Sequence, residues 1–329
     1  MTRTAQSFIF TTDFDMIGNR VLKECSSGLA RPLSHIFNLS LSLGVFPSQW
    51  KTAVIQPIYK RKGSRNDPNL YRPIALLPCV SKVLESIVRE QLLAHCFSTD
   101  CIPDEQFGFL PKRSTVWHLI TILEKWEQTL DEGGHVHACF LDVAKAFDRV
   151  DHGLLLQKLS SIGLTGITLT WFQSYLSEHS ICTTVDSVRS SLRRMTSGVP
   201  KGSVLGPLLF VIFFRDLPAA VRSSCALFAD DTLLYNCCAG GQQCCSQLQG
   251  NLDCACQWAD DWATTFNPEK SVHMVVSRRQ WAAVNLTLGS IAIPPAQETK
   301  RLGVRISSNL TWSTHIQDVI KRTSYMVFI

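Results

Sequence analysis

The sequence predicts an α+β domain in which a sheet is backed by helices on one face, and three features predict it. Apolar runs of strand length, such as "HACFLDV" and "CALFADDTLLY", are cut off by carboxylates or turns. Longer segments repeat apolar residues every three or four positions, the helical period. The two kinds of segment mix without the strict alternation of a parallel sheet and without any internal repeat.

The elements follow in order. Residues 18–50 space Val21, Leu22, Leu29, Leu33, Ile36, Phe37, Leu39 and Leu43 as a helix that Gly44 and Pro47 end. "TAVIQPIYK" (52–60) has strand composition and runs into the polar loop "RKGSRNDPN". After Pro78, Val80, Val83, Leu84, Ile87 and Leu92 mark an amphipathic helix, and a second spans Thr115 to Leu130. "DEGGHVHACFLDV" is a glycine turn feeding a short strand that ends in Asp142, followed by two helices in "DHGLLLQKLSSIG" and "TLTWFQSYLSE". "SGVPKGSVLGPLLFVIFFRDLP" is a Gly/Pro loop leading into a buried helix, and "CALFADDTLLY" is strand, acidic turn, strand. Gln243 to Phe266 places Leu248, Leu252, Ala255, Ala259 and Trp262 on one helical face, and "SVHMVV", "VNLTLG", "IAIPP" and "RLGVRIS" are small strands.

With 329 residues, 45% hydrophobic and 18% charged, the chain has material for a sizeable core and two or three subdomains, which excludes a disordered protein. Lys and Arg number 32 against 27 Asp and Glu; the net charge of +5 permits a polyanionic partner. Thirteen cysteines is an odd count, and the N-terminus lacks the pattern of a secretory signal. The cysteines are therefore read as reduced thiols of an intracellular protein, nuclear or cytoplasmic. The longest apolar run, Val204 to Phe214, is broken by Gly206 and Pro207 and is too short to span a membrane.

Asp230 and Asp231 are adjacent between apolar runs, and two unpaired carboxylates do not enter a core together. A hairpin turn would display both at a sheet edge. Taken alone, such a pair is most often a solvated turn. If Asp142, ending another strand, joined them, three hard oxygen donors would suit Mg²⁺, and two ions would clamp the attacking and leaving oxygens of a phosphoryl transfer. Lys60, Arg61, Lys62, Arg65 and Arg72 would face substrate phosphates.

Three blocks in this order, "FLDVAKAFDRVDH" (140–152), "SGVPKGSVLGPLLF" (197–210) and "LFADDTLLY" (227–235), resemble the palm motifs of reverse transcriptases from non-LTR, LINE-like retrotransposons of the jockey/CR1 type. Matching blocks flank them at 44–85, 104–109 with 114–115, 257–274 and 301–316, so that the resemblance covers about residues 20 to 316. It implies a right-hand polymerase fold of fingers and palm with an incomplete thumb. It places an N-terminal helical extension at 1–40, the reverse transcriptase domain at 41–306 and the start of a truncated thumb at 307–329.

The resemblance also implies roles. Asp142, Asp230 and Asp231 would be the catalytic carboxylates binding two Mg²⁺ ions, with Mn²⁺ as a substitute, and backbone at Val143 and Ala144 would approach the triphosphate. Phe147 would be the steric gate that rejects a ribose 2′-hydroxyl; a core aromatic is the lesser alternative. Lys60 and Arg72 would hold the triphosphate, whereas Arg61 and Lys62 read better as solvated charge. Lys201 and Gly202, with Gly198, lie in the loop that approaches nucleotide and template. Lys270 would protonate leaving pyrophosphate, and "RLGV" (301–304) would support the primer end. The implied partners are an RNA template, a DNA primer and dNTPs, with no membrane; oligomeric state is left open.

The sequence departs from the family at Lys201, where a Gln is usual, at Leu110 in place of Arg, and at Arg215 in place of Asn. The chain reads as a fragment of a longer polyprotein, without an endonuclease before it or an RNase H after it. Two alternatives stand beside the polymerase: an inactive relic that at most binds RNA, and an RNA-dependent RNA polymerase, against which Phe147 and Ala229 argue. Cys237, Cys238, Cys244, Cys245, Cys254 and Cys256 lack paired Cys-x₂-Cys spacing and read as buried or half-exposed thiols. His135 and His137 read as surface histidines, and Trp258 and Trp262 as core.

Overall fold

The computed structural model describes residues 17–61, 63–221, 223–238, 243–280 and 284–327; Lys62 and residues 1–16 of the expected N-terminal extension lie outside them. The chain divides into two compact units, Met1–Cys101 with Phe147–Phe213, and Ile102–Ala146 with Phe214–Ile329.

In the first unit the predicted N-terminal helix is two helices, α1 (Asn19–Glu24) and α2 (Ser26–Leu43), parted at Cys25. Gly44 ends α2 in the left-handed conformation with φ 67°, which glycine adopts without a Cβ clash. Strand β1 (Thr52–Tyr59) pairs antiparallel with β2 (Tyr71–Leu76), whose sequence "YRPIAL" gives little strand signal because Pro73 interrupts it. Helix α3 (Cys79–Ser98) follows as predicted.

Beyond it in this unit lie α5 (Ala146–Arg149, shared at its first residue with the second unit), α6 (His152–Ser161) and α7 (Gly166–Leu176). Next comes a set of strands with no counterpart in the sequence reading: β4 (Ser180–Val185), β5 (Val188–Arg189) and β6 (Arg193–Arg194). β4 lies parallel to β1, giving the order β2-β1-β4-β5, with β6 also on β4. Buried Phe46 meets Trp171 and Tyr175 edge to face, with centroids 5.6 and 5.0 Å apart. Helix α8 (Gly206–Phe213), "GPLLFVIF", is apolar all round and is buried on nearly every side, as the sequence predicts.

The second unit is built on an antiparallel four-stranded sheet. Its strands are β3 (His135–Val143), β7 (Ser224–Phe228), β8 (Asp231–Cys238) and β9 (Phe266–Val276), in the order β7-β8-β3-β9. Alternate residues Val136, Ala138 and Phe140 face a core with Leu233, Tyr235, Met274 and Val276. Helix α4 (Thr115–Asp131) seals that face with Leu119, Ile122, Trp126 and Leu130. The other face carries His135, His137 and Cys139 and lies under α10 (Gln243–Asp261). Helices thus cover both faces of this sheet, not one.

Helix α9 (Leu217–Val221) packs on α10. Two small hairpins, β10 (Thr287–Leu288) with β11 (Ile291–Ala292) and β12 (Glu298–Arg301) with β13 (Val304–Ser307), precede helix α11 (Ser313–Val327).

Four sequence readings are corrected by the structure. His135 and His137 are buried, because β3 begins immediately after the glycine turn and α10 lies over its first residues. Cys238 and Cys244 are joined as a disulfide, and Cys254 is exposed. The helix over 243–266 ends at Asp261, and Phe266 already belongs to β9. Trp258 is core, its indole N–H donating to Asp216 Oδ1 at 2.8 Å, whereas Trp262 is half-buried.

Candidate active site

The acidic turn joins β7 to β8, and the strand pairing aligns it with Asp142. Leu141 on β3 faces Thr232 on β8, so the next residue of each strand is Asp142 on one and Asp231 on the other. On its far side β3 slips register against β9 between Phe140 and Asp142, and the Asp142 backbone N–H donates to Ser271 Oγ at 3.1 Å. A bulge of this kind re-aims a side chain at a strand end. It also brings Lys270 round, with Nζ 3.7 Å from Asp142 Oδ2.

The three carboxylates feel one another. The pKa of Asp230 is raised by burial and then by the charges of Asp231 and Asp142; that of Asp231 is raised by partial burial and by Asp142, against the opposing pull of Arg301. Neighbouring hard oxygens of like charge are a donor set that a divalent cation relieves, and the fit to Mg²⁺ rests on this mutual influence.

Two residues that the sequence reading passed over hold the turn. Ala229 sits at φ 57°, a left-handed conformation costly for a residue with a Cβ. Buried Gln106 accepts through Oε1 from the Ala229 N–H at 2.9 Å and the Gly108 N–H at 2.8 Å. The Gln106 segment itself is bonded to β7, Phe107 N–H to Leu227 O and Leu227 N–H to Glu105 O, both at 2.8 Å. A Cβ on Gly108 would run into the Ala229 backbone.

Arg301, only 4% exposed, donates through Nη2 to Ala226 O at 3.0 Å and Asp231 O at 3.1 Å, and lies 3.0 Å from His118 Nε2. Burial lowers its pKa to about 10, and the same burial with the Arg301 charge takes His118 down to about 3. The only sequence signal for either residue was its place in a motif block: "DEQFGF" for Gln106 and "RLGV" for Arg301.

Val143 is buried, and the Ala144 N–H donates to Thr265 O at 2.9 Å. The other expected residues belong to the first unit. Half-buried Phe147 stacks on Phe210 at 4.4 Å between centroids. Gly198 (φ 87°) and Gly202 (φ 76°) both need glycine, since an added Cβ would meet Phe147 O and Asp148 at one and Ala75 O at the other.

Lys201 is paired with Asp148 at 2.7 Å, and both line a cavity of about 250 Å³ with Ala53, Ile55, Pro73 and Ala75. Lys60 and Arg72 do not line it: Lys60 donates to Asn69 O at 2.7 Å within its own hairpin, and Arg72 is exposed on β2 opposite Ile58. Behind the loop, buried Glu85 accepts from the N–H groups of Val204 at 2.7 Å and Leu205 at 3.2 Å, just ahead of α8.

Residues 58–306 match the family described as reverse transcriptase (RNA-dependent DNA polymerase). The chain belongs to the reverse transcriptase family. The resemblance to non-LTR elements holds as well. The chain is 32% identical to the RNA-directed DNA polymerase from mobile element jockey of Drosophila melanogaster, across 93% of this chain and 34% of that protein. It is 31% identical to the probable RNA-directed DNA polymerase from transposon BS of the same fly, across 94% of this chain and 35% of that one. The chain thus spans about a third of the length of these relatives.

A solved apo telomerase from Candida tropicalis, truncated from its C-terminal domain, superposes with a TM-score of 0.54 at 12% identity, covering 81% of this chain and 55% of that one. A second structure of telomerase from that organism, in complex with a fragment of telomeric RNA, gives 0.53 at 12% identity, covering 86% and 48%. The expected right-hand polymerase fold is therefore present. Reverse transcriptases as a family use divalent metal ions. No helix among the described residues is long and apolar enough to cross a membrane.

Proposed function

We propose that this chain carries out RNA-templated DNA synthesis, joining a dNTP to a primer 3′-hydroxyl, with RNA template and DNA primer as its partners. The observation that carries the proposal is the register that sets Asp142 beside the Asp230–Asp231 turn. Two Mg²⁺ ions, when bound, supply Lewis acidity toward the attacking hydroxyl and charge neutralisation of the leaving pyrophosphate.

The chain's own residues do the rest. Asp142, Asp230 and Asp231 would hold the ions, whose positive charge would offset the burial and like-charge effects that raise the pKa of Asp230 and Asp231. Gln106 and Arg301 keep the turn in place, so no reorganisation is needed as charge develops. Lys270, with Nζ 3.7 Å from Asp142 Oδ2, would give a proton to leaving pyrophosphate. Val143 and Ala144 carry the chain from Asp142 toward Phe147, whose ring excludes a 2′-hydroxyl by bulk. Lys201 and Gly202 border the nucleotide and template path, and Lys60 and Arg72 attract the triphosphate from the β1–β2 hairpin. We further read 1–40 as an N-terminal extension, 41–306 as the polymerase domain and 307–329 as the start of a thumb.

The test is primer extension by the purified chain on an RNA template with a DNA primer, dNTPs and Mg²⁺. Extension that Asp231→Asn abolishes is the expected outcome. Salt-sensitive RNA binding with no extension, from a protein of intact fold, would show a binding relic and overturn the enzymatic reading.

A further inference from the structure

At the opposite end of the sheet from the carboxylates, the strand pattern assembles a second group of donor atoms. His135 and His137 are two apart on β3 and so share a face, and Cys238 on β8 is the register partner of His135. The donor atoms of His135, His137 and Cys238 all lie within 4.8 Å of one another, and all three residues are buried. The first turn of α10, lying over this face, brings Cys245 Sγ to 3.2 Å from His137 Nε2. His273 on β9 stacks parallel to His137 and sets its Nε2 3.2 Å from His137 Nδ1. Asp142 lies seven positions along β3 from His135, a span of about 23 Å, so the cluster is not part of the acidic site.

We propose that His135, His137, Cys238 and Cys245 form a binding site for a zinc-class divalent cation, loaded when Cys238 is a free thiol. The donor set is two imidazoles and two sulfurs, which borderline-soft metals prefer in four-coordinate geometry, with metal–nitrogen and metal–sulfur distances of about 2.0 and 2.3 Å. Those lengths require neighbouring donors about 3.3–3.7 Å apart in a tetrahedron. Cys245 and His137, at 3.2 Å, stand close to that separation, and His135, His137 and Cys238, within 4.8 Å of one another, need a contraction of about 1 Å to reach it. His273 then has the part of an outer partner: it accepts from His137 Nδ1–H and leaves the Nε2 lone pair for the metal.

In the structure Cys238 is bonded to Cys244. Disulfide and metal therefore compete for one sulfur. A small thiol or phosphine reductant supplies two electrons, with two protons, to give Cys238 and Cys244 thiols; metal binding then releases one proton each from Cys238 and Cys245 to solvent. The bound ion would clip β3 and β8 to the start of α10, a fixed point for the sheet that carries the acidic turn.

The sequence hid this site because its ligands come from three separate elements. The cysteine cluster has no histidine within it and no Cys-x₂-Cys pair.

The full chain, reduced with a phosphine and freed of metal, is titrated anaerobically with Co²⁺. The expected result is that the visible bands of tetrahedral cobalt and a thiolate-to-cobalt charge-transfer band saturate at one equivalent per chain, apart from any ion held by the acidic turn, and that Zn²⁺ abolishes them. Cys238→Ser and His137→Gln should each weaken binding at least ~10-fold, while Asp231→Asn leaves the spectrum unchanged. Should a variant fail to fold, the wild-type chain decides: forming the Cys238–Cys244 disulfide should remove the bands. Reduced protein that shows no thiolate-to-cobalt band, or bands that persist in the oxidised chain, would overturn the proposal.

Discussion

The Arg301 guanidinium donates to the main-chain carbonyl of Asp231 at 3.1 Å, so a buried cation holds the acidic turn from behind. The same group reaches Ala226 O on β7, tying both strands of the hairpin to β12. Leucine at this position would strand two buried carbonyls and remove the charge that opposes the upward shift of Asp231. We expect Arg301→Leu to destabilise the protein by about 3 kcal/mol, read from urea unfolding. Lysine, with one point charge in place of a fork, should recover only part of the loss.

The Gln106 bridge makes a second expectation. Gly108→Ala puts a methyl group against the Ala229 backbone in a buried turn and should cost about 1–3 kcal/mol. Ala229→Gly, by contrast, relieves a left-handed alanine and should leave stability equal or higher. Thermal melts of the two variants check the pair, and a stable Gly108→Ala protein would contradict the close approach.

Much of this site was legible because strands write their faces into the sequence at period two. "LFADDTLLY" reads as a hairpin, and "FLDV" sets a carboxylate near the end of an apolar strand with no further help. Pairing is what the sequence leaves out. Nothing in residues 135–143 says that β8 and β9 flank them, so the burial of His135 and His137 and their approach to Cys238 were invisible. The strands over 180–194 were missed because "SICTTVDSVRSSLRR" alternates weakly and has mostly partly exposed or exposed positions. The burial of Arg301 was not legible either, since a buried arginine is exceptional and its contacts, Ala226 O, Asp231 O and His118 Nε2, come from three other elements.

Lys201 is joined to Asp148 at 2.7 Å. The two side chains are 33% and 43% exposed, so water screens the pair and its contribution to stability is below about 1 kcal/mol. Lys201→Gln should therefore leave the unfolding midpoint nearly unchanged. Because both residues line the cavity on the first unit's sheet, its effect should fall on the KM for dNTP in primer extension. An unchanged KM together with unchanged stability would remove Lys201 from the nucleotide path.

Phe147 stacks on Phe210, so its ring is held by packing before any nucleotide arrives. Phe147→Ala should raise the rNTP-to-dNTP incorporation ratio by ~10–100-fold, the scale for losing one steric contact with a substrate. The stacking loss should lower stability by about 1 kcal/mol beyond the buried area removed. Competition between rATP and dATP on one template measures the first effect; a ratio that stays fixed would assign Phe147 to the core alone.

Acid should unfold this protein earlier than its carboxylates alone would predict. His179 is buried against Tyr175 O and beside Phe46, and burial, with smaller effects of Lys51 and His152, holds its pKa at about 4. His118 is held at about 3 by burial and Arg301. Both are depressed in the folded chain below the ordinary 6.5, so the unfolded chain binds the extra protons. The stability they contribute is complete above about pH 6.5 and is lost as the pH falls toward 4 and 3. At pH 5 each should have cost about 2 kcal/mol, since a unit of pKa corresponds to 1.36 kcal/mol. Urea midpoints measured from pH 8 to pH 5 should fall steadily below about pH 6.5. His179→Gln, which can still donate to Tyr175 O, should flatten that fall by its share, and a midpoint independent of pH over this range would rule out neutral burial of both histidines.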